Sequence, residues 1–144
     1  LKKMNRFAHS IDDAAKQIDV NEILELMTAL ADRLAAMRSV SIDNRSTQDP
    51  VMLKTVPFHL LNLLWLILDF AMGVTGDDKT VELVPAATST GASVSFRRLG
   101  DLSPSASTDF PTELENALLT QVGAELTVNV EKKEIILGLN DSIT

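Results

Sequence analysis

The side chains able to carry chemistry are few and scattered. There are two histidines, His9 in "FAHSIDD" and His59 at the head of "HLLNLLWLILDFAMG", and no cysteine. Without cysteine there is no disulfide scaffold, thiolate nucleophile or thiolate-held metal, a usage compatible with a reducing cytosol. Asp77 and Asp78 in "GDDK" read as a turn, because they lack the ligand periodicity of a calcium loop. Arg97 and Arg98 in "SFRRL" alternate across a strand, which turns one of them to the cavity side, either to bind an anion or to pair with a surface carboxylate. Asn62 and Asp69 interrupt the most apolar stretch, residues 59–73, with Leu66 between them. Asn62 reads most simply as a core amide holding neighbouring backbone or as a cap, Asp69 as a solvent-facing carboxylate near a helix end, and His59 as structural or exposed at the helix start.

That apolar stretch needs an environment. Its uninterrupted part is residues 63–68, and even with its flanks it falls short of the roughly 20 residues that cross a bilayer. It is therefore expected to be a buried core helix. The 144 residues, 45% hydrophobic and 23% charged, suffice for one sizeable core with a helical appendage. A net charge of −7 with only 13 lysines and arginines argues against nucleic acid or an anionic membrane as partner, since both depend on basic patches. No basic segment with an apolar run and cleavage site follows Leu1, so a signal peptide is not expected, and the start without methionine reads as a cut from a longer protein. A cytoplasmic location is expected.

The elements follow from periodicity. Residues 1–18 place Met4, Phe7, Ile11, Ala14, Ala15 and Ile18 on one face with charge opposite, predicting an amphipathic helical segment. Such a stripe is too long to leave wet, so it should pack on its own domain or on the same helix of another chain, making a homodimer through this helix conceivable. Asp19 or Asn21 can cap the next helix, in which Ile23, Leu26, Met27, Leu30, Leu34 and Met37 recur at helical spacing. "SVSID" alternates as a half-buried strand with Val40 and Ile42 on one side, and "VMLKTVP" holds a short strand. "TVELVPA" and "ASVSFRRL" flank the turn-like "ATSTG" as a hairpin, and "GDLSPSASTD" reads as loop. In "FPTELENALLTQV" the acidic first turn suits a helix N-terminus, Leu114, Leu118, Leu119 and Val122 point inward, and Gly123 closes the helix. "AELTVNVEKKEIILGL" is a second hairpin turning at residues 131–133. This order predicts an α/β (α+β) two-layer sandwich: a mixed, mainly antiparallel five-stranded sheet with helices on one face.

From Ile18 onward the chain resembles the C-terminal ATP-binding domain of sensor histidine kinases, the Bergerat or GHKL fold shared with gyrase B. "IDVNEILELMTALADRLAAMRSVSID" resembles the segment that enters that domain. "HLLNLLWLILDFA" lies without a gap on the family's N-box, "vLlNLlxNAixf", with Asn62 at the first asparagine and Phe70 at the aromatic. "FPTELENALLTQVGAELTVNVEKKEIILGL" resembles its closing helix, glycine and hairpin. The resemblance implies residues 1–18 as the end of an upstream dimerisation hairpin and residues 19–144 as the ATPase-like domain.

The departures fall on the chemistry. The N-box asparagine that holds Mg²⁺ is replaced by Leu66, which offers no oxygen. Over the family's "DxGxG" the chain has "RLGDL", so Arg98 stands at the adenine acceptor, Gly100 is kept and Leu102 replaces a glycine. The lid is short, "DLSPSAST", without a glycine-rich run to meet phosphates at the helix that follows. Asn62, Leu66, Asp69, Arg98, Gly100 and Leu102 thus mark a degenerate pocket, with no catalytic residue, metal or cofactor expected. His9 lacks the acidic neighbour that follows a phosphoacceptor histidine, its carboxylates being Asp12 and Asp13, and it lies at the tail of the hairpin. The resemblance therefore implies a pseudokinase module of two-component or phosphorelay signalling, related to the ATPase-like domain of histidine phosphotransferases. It would contact a response regulator or other signalling protein, with no nucleic acid and no direct membrane contact. Two other readings stand: a divergent but active ATP-dependent protein histidine kinase using ATP and Mg²⁺, and an anti-sigma-factor-like regulatory binding module.

Overall fold

The computed structural model describes residues 15–47, 49–102 and 110–141. Along them run β1 (Lys16–Asp19), α1 (Val20–Met37), β2 (Ser41–Asn44), β3 (Met52–Thr55), α2 (Pro57–Met72), β4 (Thr80–Ala87), β5 (Gly91–Arg97), α3 (Glu113–Val122), β6 (Ala124–Asn129) and β7 (Glu134–Asn140). Five strands form one mixed sheet in the order β2-β4-β5-β7-β6, and β1 pairs with β3 in a small antiparallel sheet. In the main sheet only β2 and β4 are parallel, and they are the pair joined by a crossover through α2. The helices cover one face, giving the expected two-layer α/β sandwich.

Period-two alternation sets which side chains line that face. Val81 and Leu83 of β4, Ala92, Val94 and Phe96 of β5, and Ile135, Leu137 and Leu139 of β7 are all buried. The register aligns Leu83, Phe96 and Ile135 across three strands, one rung of the core. Neighbouring positions turn the other way and carry charge: Arg45 pairs with Glu82 at 3.4 Å and Arg97 with Glu134 at 3.3 Å.

α2 lies at the centre of the helical layer, in contact with α1 and α3. Leu60, Leu63, Leu64, Ile67, Leu68 and Ala71 are inaccessible to solvent, and Leu61, Trp65 and Phe70 pack half-buried against the same core. Pro57 opens the helix where a backbone N–H has no intrahelical acceptor to lose.

α1 buries part of the predicted stripe: Met27 is inaccessible, and Ile23 and Leu34 pack against the core. Val20, Leu24, Met27, Ala31 and Ala35 face the core, whereas Leu26, Leu30 and Met37 are 48%, 60% and 77% exposed. The two alanines let the helix approach closely, and this choice of face turns the larger leucines outward. In α3 Leu119 is buried and Leu118 and Val122 pack against the core, but Leu114 is exposed. The helix starts with Thr112, whose hydroxyl donates to the buried Glu115 carboxylate, and ends at Gly123 in the left-handed region (φ 72°).

The helical reading of residues 1–18 is corrected at its end. Lys16 to Ile18 belong to β1, because their backbone pairs with β3. Met4, Phe7, His9 and Ile11 lie outside the described residues. Asp19, the last residue of β1, is the cap: its Oδ1 accepts from the Asn21 backbone N–H at 3.0 Å, the Asn21 amide at 3.1 Å and the Val51 N–H at 3.0 Å. Asn21 is buried and instead holds the following loop, donating to the Asp49 carbonyl and accepting from the Thr47 N–H. At the far end of the chain the Asp141 carboxylate accepts from the Lys54 N–H at 2.8 Å, tying the exit of β7 to β3.

Two substitutions test these assignments by chemical denaturation. Leu64→Ala is expected to cost about 2–5 kcal/mol as a cavity in a close-packed core. Asp19→Ala, which takes the side-chain acceptor from the Asn21 and Val51 backbone N–H groups, is expected to cost about 1–2 kcal/mol. A loss under about 0.5 kcal/mol in either, the range of neutral surface changes, would remove that residue from its assigned role.

Candidate functional site

α2 presents Asn62, Leu66, Asp69 and Phe70 away from the sheet, at spacings that share a face. Asn62 is exposed rather than a core amide, and its Nδ2 donates to the Phe58 carbonyl one turn back at 3.1 Å. The expectation that it holds neighbouring backbone is met, but at the surface. Leu66 is half-buried and presents only carbon. One turn further, the ring of Phe70 stacks face to face on Phe110, with centroids 4.0 Å apart and planes 5° from parallel. Phe110 stands on the segment that enters α3, so this end of the α2 face is covered by an aromatic from the protein itself.

Asp69 is solvent-facing, as expected, and is engaged by Arg38, whose Nη1 reaches its carboxylate at 3.0 Å and its carbonyl at 3.1 Å. A carboxylate near a helix C-terminus is unfavourable to the helix dipole, and the arginine offsets this. The side chains are 39% and 49% exposed, so solvent screens the pair and it contributes little to stability.

The segment after β5 runs along the loop that follows α2. Gly76 donates to the Arg98 carbonyl at 3.3 Å, Gly100 donates to the Val74 carbonyl at 2.6 Å, and Thr75 bridges Leu99. Arg98 does not continue the alternation of β5. It leaves the strand with φ 65°, and its guanidinium pairs with Asp78 at 2.9 Å, while Arg97 stays in the strand and pairs with Glu134. Both arginines thus pair with carboxylates, the simpler of the two expectations. Asp77 and Asp78 lie in a turn. A Cβ on Gly100 would stand 2.8 Å from the Thr75 carbonyl oxygen, so the close approach this glycine permits is to the protein's own backbone. Leu102 is buried in the core. Arg98 and Gly100 therefore sit beyond the C-terminal end of α2, whereas Asn62 lies about 16 Å further back at 1.5 Å rise per residue.

Among the hollows lined by described residues, two lie elsewhere. One, of about 230 Å³, lies at the N-terminal end of α2 and is lined by Thr55, His59, Asp141 and the end of α3. The other, of about 320 Å³, is lined by Leu30, Leu61, Asn62 and Trp65 between α1 and α2. Neither is bordered by Leu66, Arg98, Gly100 or Leu102. Sequence reasoning placed His59 at the helix start but missed its cavity, which draws residues from four elements. Among the described residues no group of three or more histidine, aspartate or glutamate side chains could hold a metal ion, and no helix is long and apolar enough to cross a membrane.

This arrangement of sheet, central apolar helix and closing hairpin is the fold of the ATP-binding catalytic domains of sensor histidine kinases. The catalytic domain of the histidine kinase ThkA superposes with a TM-score of 0.68 at 12% identity, covering 88% of this chain and 97% of that one. The ATP-binding domain of PrrB from Mycobacterium tuberculosis gives 0.66 at 14% identity, over 92% of this chain and all of that one (100%). ThkA in complex with the response regulator protein TrrA gives 0.70 at 14% identity over 89% of this chain, which spans 42% of that one. No family model and no curated protein matches the chain in sequence.

Gly100→Ala tests the close approach of the two loops. Because the new methyl meets a backbone carbonyl that cannot swing aside, a loss of about 1–3 kcal/mol is expected in denaturant titrations. Stability unchanged within error would mean that the loops part freely there.

Proposed function

We propose that the chain is a degenerate histidine-kinase-like ATPase domain: a pseudokinase module of two-component or phosphorelay signalling, acting by protein contact without ATP turnover. The observation that carries this reading is the outward face of α2. Leu66 stands where the resembling family has its Mg²⁺ ligand, and Phe70 one turn on is covered by Phe110. Mg²⁺ requires an octahedron of oxygens at about 2.1 Å, and leucine and phenylalanine supply none. Arg98, at the position of the adenine acceptor, has only donors and is already paired with Asp78. ATP and Mg²⁺ do not fit these residues.

What is left to the fold is its surface. A response regulator is the proposed partner, on the cytoplasmic side of a signalling pathway. Support comes from the fold itself and from ThkA, a protein of that fold whose structure is known with a response regulator.

Isothermal titration of the purified chain with millimolar ATP and Mg²⁺ is expected to give no saturable heat. A thermal melt in the same mixture should show no rise in midpoint, since any ligand that binds only the native state must raise it. A saturable signal with Kd below about 100 μM, equivalent to roughly −5.5 kcal/mol, would overturn the degenerate-domain reading in favour of an active kinase domain.

A further inference from the structure

The hollow at the N-terminal end of α2 brings together two helix ends and the exits of two strands. Its walls are Thr55 and Val56 at the end of β3, His59 in the first turn of α2, residues 120–123 at the end of α3, and Asn140 and Asp141 where β7 leaves the sheet. At about 230 Å³ it lies below the roughly 300–1,000 Å³ of clefts that take drug-sized molecules, so it suits a smaller one.

Thr55 sets the polarity of one wall. Alternation along β3 buries it on the same side as Leu53, leaving it only 3% exposed, and its backbone is held by pairing with Lys16. Its hydroxyl makes no hydrogen bond among the described residues, yet no described side-chain oxygen is both sealed from solvent and unpartnered, so the hydroxyl opens onto the hollow that the residue lines. A buried hydroxyl without a partner carries a desolvation cost that a bound group can relieve. One residue on, Val56 starts α2 without a side-chain cap, and the first turn has no acidic residue to meet the positive end of the helix dipole. The free backbone N–H groups of that turn, the Thr55 hydroxyl and the His59 imidazole are all able to donate to a carboxylate.

The opposite wall has the reverse polarity. α3 ends there with no basic residue in its last turn, so its terminal carbonyls present the negative end of that helix. Asp141 stands beside them: its Oδ1 accepts from the Lys54 N–H at 2.8 Å, and the carboxylate has further lone pairs for another donor. The Asn140 amide donates to the Gly123 carbonyl at 3.0 Å and so fixes this wall in place. A plain anion in the hollow would meet Asp141, and a plain cation would meet the donors of α2. A molecule that carries both charges suits both walls.

We propose that this hollow binds a small zwitterion of the free α-amino-acid class, with its carboxylate on the Thr55 hydroxyl, His59 and the start of α2, and its ammonium group on Asp141 and the end of α3. The site shares no residue with the degenerate nucleotide positions and stands apart from the pseudokinase reading.

Glycine is the probe, titrated near neutral pH into the isotope-labelled chain while the backbone amide signals of Thr55 and His59 are followed by NMR. Saturation is expected with a Kd of about 1–10 mM, a range open to a ligand of so few atoms. Acetate and methylammonium, each carrying one of the two charges, are expected to bind at least about tenfold more weakly, because each forgoes a set of charge-assisted bonds. Thr55→Val keeps the shape and removes the hydroxyl, and should raise the glycine Kd about threefold to tenfold. Asp141→Asn keeps an acceptor for Lys54 and should raise it by at least about tenfold. The amide spectrum shows whether each variant is folded, and should one unfold the other decides. No saturable shift with glycine would overturn the site. Acetate or methylammonium binding as tightly as glycine would refute the zwitterion, and an unchanged Kd in the folded variants would refute the assigned walls.

Discussion

A helix with almost nothing to offer water must be covered on nearly every side, and α2 sets this constraint for the whole domain. From Leu63 to Leu68 its only polar side-chain atom is the indole nitrogen of Trp65. One layer of sheet can cover only one stripe of such a helix. The alternating residues of β4, β5 and β7 provide that cover, while α1 and α3 flank the helix and shield parts of its remaining surface. Burial of this kind stabilises by about 25 cal/mol per Å² of apolar surface. The polar residues at the ends of α2 then mark where cover stops: Asn62 bonds back to its own helix, and Asp69 is met by Arg38.

Much of this could be read from the residues because period and turn chemistry agree. Both hairpins, α2 and the Gly123 stop follow from local patterns whose cause lies within a few residues. β1 could not be read in the same way. "KQID" continues a helical pattern, and only the backbone of β3, far along the chain, makes it a strand. The buried face of α1 was hidden for a related reason. Size-weighted periodicity includes Ile23, Met27 and Leu34, which do reach the core, but also Leu26, Leu30 and Met37, whereas close packing on a sheet favours the stripe that contains Ala31 and Ala35. The Asp19 cap was visible as a residue type, but the way Asn21 fastens the loop after β2 depends on contacts that sequence spacing does not encode.

At the candidate site the residue identities were informative and their surroundings were not. That Leu66 lacks an oxygen follows from its name alone. That Arg98 turns out of its strand into the left-handed region, toward Asp78, depends on the loop after α2 lying alongside. The stack of Phe70 on Phe110 joins two segments whose aromatic character was plain and whose meeting was not. The protein covers the end of the α2 face with its own carbon.

The attachment of Lys16 to Thr55 and of Asp141 to Lys54 has a mechanical consequence. Entry to and exit from the described domain hang from neighbouring residues of β3, at one corner. A pull between those two points loads the four-residue ladder of β1 on β3 at one end and β7 within the five-stranded sheet at the other, where the Asp141 N–H also donates to the Thr90 carbonyl at 2.9 Å. β1 is paired on one side over four residues whereas β7 is paired on both, so the entering strand is the weaker of the two holds and is where a pull on the chain would first be felt.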